Sequence, residues 1–301
     1  MHSNFPKSSD CDLLLPPVEH KTVVVDGVRI FYRDTGPRNA PAILLLHGFP
    51  SSSRMFATLF PFLSSRYRLI APDYPGFGHS DAPSPETFSY TFQRLADFVA
   101  RFLSEIDVTR YTLYLQDYGG PIGLRLAAAQ PERVMALVIQ NAVAHLEGLS
   151  DAWAIRKAFW LDRAAHEEKM CGALLSLDAA RQRHLAGVSH VERIDPDTWS
   201  DEFAFLSRPG MVEIQLDLMF DYQTNVAAYP EWQAYLRENQ PPTLVVWGKH
   251  DPLFTVAGAM AFGREVPDAE IHLLNASHFA LDEEVEAIAA LMHHFIERNL
   301  R

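Results

Sequence analysis

The chain has 301 residues, 48% of them hydrophobic and 21% charged, a composition typical of globular proteins and long enough for one large core. Its formal charge of -12 argues against nucleic acid or an anionic membrane as partner, because phosphate is repelled rather than neutralised. A small apolar or weakly polar organic molecule is the partner this balance favours.

Residues 1–17 read as an amino-terminal tail. Its apolar run Leu13-Leu14-Leu15 is cut by Pro16-Pro17, too short for a signal peptide, and no stretch approaches the ~20 apolar residues of a membrane span. Cys11 and Cys171 lie far apart and form neither a disulfide framework nor a metal pattern, so a reducing, cytoplasmic location is expected.

Alternation over residues 22–25, the Asp26-Gly27 turn and the run 28–32 predict an antiparallel hairpin. The segments 42–46, 67–71, 111–115, 134–140, 243–247 and 270–274 are instead short, nearly continuous apolar runs, as expected of strands buried on both faces of a parallel sheet. Residues 90–106 place Phe92, Leu95, Phe98, Val99 and Phe102 on one helical face, and 122–129 and 285–299 follow the same period. Strands alternating with helices predict an α/β fold with a mostly parallel, doubly wound sheet, in which ligands bind at the carboxyl ends of the strands. Between Gln140 and Thr243 no strand run occurs, and the segment reads as an inserted helical cap. The expected organisation is a core in two parts, 18–143 and 241–301, interrupted by a cap over 144–240.

The strand ends carry the chemistry. His47-Gly48-Phe49-Pro50 follows the third strand and can supply a backbone N–H to an oxyanion, with a rigid turn at Pro50. Asp73 to Asp81, with Gly76 and Gly78, reads as a turn whose glycines serve the backbone path. Leu115-Gln116-Asp117-Tyr118-Gly119-Gly120 runs from a strand straight into a helix, the setting of a nucleophile elbow. The reactive position holds a carboxylate, which is ionised near neutral pH and needs no base to become nucleophilic. Asp251 follows the seventh strand and His278 the eighth, so the order is nucleophile, acid, base, each after its own strand. A structural reading exists for each alone, as helix cap, turn residue or packed histidine, but not for all three together.

Through these motifs the chain resembles the α/β-hydrolase superfamily, specifically its epoxide hydrolase and haloalkane dehalogenase branches, over residues 23–300. Leu115 departs from the glycine-first elbow, as dehalogenase elbows often do. The resemblance implies that Asp117 attacks an sp³ carbon to give an alkyl ester. His278, oriented by Asp251, then activates water against that ester, while the N–H groups of Phe49 and Tyr118 hold the oxyanion. No metal and no organic cofactor is implied.

The leaving group depends on the cap. Tyr222 resembles one of the ring-opening tyrosines of epoxide hydrolases, and no second tyrosine lies between Tyr118 and Tyr222. Trp160 falls near the halide-binding tryptophan of dehalogenases, so Tyr222 and Trp160 are the expected leaving-group donors. Tyr118 stands where haloalkane dehalogenases usually carry tryptophan. Haloacetate dehalogenases bind a carboxylate with arginines beside the nucleophile, but Tyr118 and Pro121 occupy that neighbourhood here. Phe49-Pro50 resembles epoxide hydrolases and Gln116 resembles dehalogenases. The expected activity is epoxide hydrolysis to a diol, with dehalogenation as the alternative; ester hydrolysis and a non-catalytic binding module of the same fold stand behind both.

Overall fold

The structure is a computed structural model that describes residues 15–300; the tail before Leu15, with Cys11, lies outside the described residues. Eight strands form one sheet: β1 (Glu19–Val25), β2 (Val28–Thr35), β3 (Ala42–Leu46), β4 (Arg68–Pro72), β5 (Tyr111–Gln116), β6 (Val134–Gln140), β7 (Thr243–Gly248) and β8 (Glu270–Leu274), in the order β1-β2-β4-β3-β5-β6-β7-β8. The first two are an antiparallel hairpin, β2 pairs antiparallel with β4, and all remaining pairings are parallel. Asp26 and Gly27 both take positive φ, 47° and 80°. That two-residue turn twists in the sense of the strands it joins.

Every residue of β3, β4, β5 and β7 is buried, which is why these strands read as continuous apolar runs rather than alternating ones. The period-2 geometry divides them between two layers. Leu44 and Leu46 face one core with Leu95, Phe98, Phe102 and Ile122, whereas Ile43 and Leu45 face the other with Phe60, Ile288, Met292 and Phe295. The helices that supply these residues are α1 (Phe60–Leu63), α2 (Phe92–Glu105), α3 (Gly119–Ala129) and, at the carboxyl end of the chain, α10 (Ala280–Asn299). The last is kinked at Glu284, whose φ of -132° is not helical. The regular apolar period therefore begins only at Val285, and the first turn after His278 is a separate piece.

Between β6 and β7 the described chain contains no strand. It forms α4 (Ala154–Leu161), α5 (Arg163–Leu174), α6 (Leu177–Leu185), α7 (Asp197–Leu206) and α8 (Met211–Asn239), and α9 (Val256–Glu265) follows β7. Helix α8 is fastened to the rest at its middle. The Asp221 carboxylate accepts the Phe92 N–H at the start of α2 at 2.7 Å, and Arg125 on α3 donates to Asn225 at 2.7 Å. The first bond satisfies an N–H that has no partner inside its own helix. Together they hold the stretch around Tyr222 against α2 and α3, beside Phe92 and Tyr118. Among the described residues no helix is long and apolar enough to cross a membrane.

Candidate active site

Asp117 sits between the end of β5 and the start of α3 with φ 47°, a left-handed conformation that is strained for any residue with a side chain. The turn is closed on both sides: Asp117 N–H donates to the Asn141 carbonyl at 3.3 Å, and Gly120 N–H donates to the Asp117 carbonyl at 2.9 Å. Two glycines make room for it. A Cβ on Gly119 would lie 2.0 Å from the Leu46 carbonyl oxygen, and one on Gly48 would lie 2.3 Å from the Asp117 Cβ. Leu115, two places before Asp117, fits because Gly123 one turn into α3 makes space for it; a Cβ there would meet Leu115 at 2.1 Å. The close approach of strand and helix is preserved by shifting the missing side chain from the strand to the helix.

The carboxylate is buried and faces the donors expected of an oxyanion site. Phe49, followed by a cis bond to Pro50, donates its N–H to Asp117 Oδ1 at 2.7 Å. Burial pushes the Asp117 pKa up, and His278, the N–H groups of Phe49 and Tyr118, and the Arg156 guanidinium partly offset that rise.

His278 Nδ1 is 2.7 Å from Asp251 Oδ2, and its Nε2 is 3.8 Å from Asp117 Oδ2. Asp251 is held in turn by Asn141 Nδ2 at 2.8 Å and by the N–H groups of Leu253 and Phe254 at 2.7 and 3.1 Å. Burial disfavours the imidazolium of His278, but the charges of Asp251 and Asp117 outweigh it, and the net shift is upward. Gln116 Nε2 lies 3.1 Å from His278 Nε2, while Gln116 Oε1 is buried without a hydrogen-bond partner among the described residues.

Above Asp117 lies a small cavity of about 20 Å³, room for roughly one water molecule. The core contributes Phe49, Asp117, Tyr118 and Leu253 to its wall, and the helical segment contributes Trp153, Arg156, Arg183, Met219 and Tyr222. Tyr222 is packed between aromatic rings, 4.7 Å from Trp153 and 5.9 Å from Tyr118. Burial keeps its hydroxyl protonated by raising its pKa far above the usual range. Among the described residues no group of His, Cys, Asp or Glu converges as metal ligands.

Of the seven residues singled out from sequence, Asp117, Phe49, Tyr118 and Tyr222 line this cavity, and His278 and Asp251 stand behind Asp117 through the contacts given above. Trp160 is corrected as a leaving-group donor. Its ring stacks on the far side of Tyr222 at 6.2 Å, but its indole N–H donates to the Met219 carbonyl of α8 at 2.8 Å and is not available to a ligand. The tryptophan facing the cavity is Trp153, whose N–H is also taken, by the Leu253 carbonyl at 3.1 Å. Arg156, Arg183 and Asn141 escaped the sequence reading. The one signal for the first was the spacing Trp153-x-x-Arg156, which puts both side chains on one helical face.

Residues 41–285 match the family of the alpha/beta hydrolase fold. An uncharacterised hydrolase of Saccharomyces cerevisiae is 38% identical over 274 residues, 90% of this chain and 94% of that protein. A haloalkane dehalogenase of Psychrobacter cryohalolentis is 30% identical over 279 residues, 91% of this chain and 89% of its own. The crystal structure of an epoxide hydrolase from Vigna radiata superposes with a TM-score of 0.74 at 21% identity, over 93% of this chain and 98% of that one.

Proposed function

The chain belongs to the α/β-hydrolase family and is a hydrolase, and from that premise we propose that it opens epoxides to diols through a covalent ester on Asp117. The observation that carries the proposal is a buried carboxylate on the strained elbow, with a histidine 3.8 Å from one of its oxygens. In this reading residues 144–240 are a cap over a core made of 18–143 and 241–301.

Because Asp117 Oδ1 is bound by the Phe49 N–H, Oδ2 is the attacking atom. It forms a C–O bond to an oxirane carbon as the ring C–O bond breaks, and Tyr222 gives its proton to the departing oxygen. His278, with Nδ1–H held by Asp251, then takes a proton from water at Nε2 while the water oxygen adds to the ester carbonyl carbon. The unpartnered Gln116 Oε1 offers that water an acceptor. The N–H groups of Phe49 and Tyr118 stabilise the oxyanion, each by roughly 3 kcal/mol. On collapse the acyl C–O bond breaks, His278 protonates the leaving alkoxide, and the second water proton returns from the Asp117 carboxyl to Tyr222.

Dehalogenation would use the same two steps with halide as leaving group, and the name of the 30% identical relative favours it. Against it, the indole N–H groups of Trp153 and Trp160 are both spent on backbone carbonyls. A panel of small oxiranes and haloalkanes, assayed for diol and for halide, tests the choice. Diol without halide is expected, and Asp117→Ala should abolish it; activity retained in that variant rules out Asp117 as nucleophile.

A further inference from the structure

Two guanidinium groups reach the cavity above Asp117 from the helical segment, Arg156 on α4 and Arg183 on α6. Neither is in ion-pair contact with a carboxylate among the described residues. Arg156 lies over the face of Trp153, 4.8 Å from the ring centre, and makes no hydrogen bond there. Arg183 lies over Phe49 at 4.9 Å. Its terminal nitrogens donate to the Leu174 carbonyl at 2.9 and 3.3 Å, leaving Nε buried and without a partner. Glu202 is the acid whose charge acts most on Arg183; its Oε1 lies 3.1 Å from His184, and it forms no ion pair with the guanidinium.

This arrangement is costly unless something else completes it. Burial lowers the pKa of both groups, that of Arg183 to about 10, and the Arg156 charge adds to the lowering of Arg183. Both nonetheless stay charged at neutral pH. The cavity therefore holds two cations against the single carboxylate of Asp117, inside a chain whose overall charge is -12. Stacking on an aromatic ring occupies the face of a guanidinium and leaves its in-plane N–H donors for a planar acceptor, which a carboxylate matches.

We propose that Arg156 and Arg183 bind a carboxylate carried by the substrate, so that the enzyme acts on small organic acids bearing the electrophilic carbon rather than on neutral molecules. The inference rests on the reading of Asp117 as the attacking group in this cavity. The anion sits on the cap side, its charge offset by the two arginines, and the carbon next to it is presented to Asp117 Oδ2. Without the arginines the substrate's charge and that of Asp117 would repel each other in a buried site; with them the neutral analogue is the poorer ligand, because it leaves both cations unpaired.

The test compares acids with their amides. On the wild-type enzyme, propionate and propionamide are titrated by calorimetry, and oxirane-2-carboxylate and oxirane-2-carboxamide are assayed for kcat/KM. Propionate is expected to bind at least tenfold more tightly than the amide, and the epoxy acid to be preferred at least tenfold. Arg156→Gln and Arg183→Gln should each reduce both preferences about tenfold or more, mostly through KM, with partial recovery in Arg156→Lys and Arg183→Lys. Amide binding and turnover equal to those of the acid in the wild-type enzyme would overturn the inference and leave epoxide hydrolysis standing. A fall in acid and amide activity alike in the variants, with their ratio unmoved, would also overturn it, since the arginines would then serve only Asp117. Selective propionate binding without diol from either oxirane would support the anion site and reject the epoxide reading.

Discussion

Replacing His278 with glutamine separates the two halves of the proposed reaction. The attack by Asp117 needs no base, and its carboxylate keeps the Phe49 N–H at 2.7 Å in the variant. The second half loses the group whose Nδ1 is 2.7 Å from Asp251 and whose Nε2 faces the ester. A general base contributes about 10²- to 10⁴-fold, equivalent to roughly 3 to 5 kcal/mol of barrier. Steady-state turnover should fall by that factor while the ester accumulates. Asp251 survives the change because Asn141 and the N–H groups of Leu253 and Phe254 still satisfy it. Intact-mass spectrometry after a single mixing step reads the result. An epoxide adds its full mass, whereas an alkyl halide adds its mass less that of the hydrogen halide, so the same spectrum identifies the leaving group. No adduct with a substrate that the wild type turns over, or an adduct mapped to a residue other than Asp117, would refute the scheme.

Tyr222→Phe should lower epoxide opening by about 10²- to 10³-fold through loss of the ring-oxygen donor, visible as slower ester formation with unchanged ester hydrolysis; equal slowing of both steps would count against the donor role. Trp160→Phe should instead leave the acid-to-amide preference unmoved and cost about 1 kcal/mol of stability in urea unfolding, the worth of its bond to the Met219 carbonyl. His184 bridges α6, α7 and α10 through Glu202 and Asp282, each at 3.1 Å. Although burial opposes its charge, these acids raise its pKa to about 9 from 6.5. Its contribution is thus fully present below pH about 6.5 and lost as pH rises through about 9, on the order of 3 kcal/mol. His184→Gln should flatten the fall in unfolding free energy between pH 6 and pH 10 relative to wild type, and parallel curves would refute the assignment.

The sheet was legible because burial on both faces writes each central strand as an unbroken apolar run, and Asp117 and Asp251 were legible because each follows one; His278 follows the partly buried edge strand β8, and its place in the order after them singled it out. The elbow's departure from its usual pattern was not. Only packing shows that Gly123 clears the space Leu115 fills. Trp153 and Trp160 lie seven residues apart, about two helical turns, so periodicity puts both on one face and only the neighbouring helices decide which of them meets the cavity. Their N–H groups found backbone carbonyls of α8 and of the loop after β7, partners far away in the chain. Arg156 and Arg183 were the least visible, since arginines among charged neighbours on short helices read as solvated surface. Their partial burial depends on how α4 packs on α5 and α8 and α6 on α5 and α7, which the amphipathic pattern does not encode.

The charges at the site also set the timing of the base. While Asp117 is ionised, its charge helps to hold the His278 pKa above the ordinary value, which favours the form that cannot accept a proton. Ester formation removes that charge but leaves Arg183, which acts in the opposite direction. The His278 pKa therefore falls when the intermediate forms, and the imidazole becomes a base in the step that needs one. The acidic limb of ester decay should therefore lie at lower pH than the titration of the His278 imidazole in the free enzyme, read by NMR. Stopped-flow measurement of ester decay across pH isolates that limb directly. A limb that coincides with the free-enzyme titration, or lies at higher pH, would mean that Asp117 does not lose its charge before His278 acts, and would refute this account of the base.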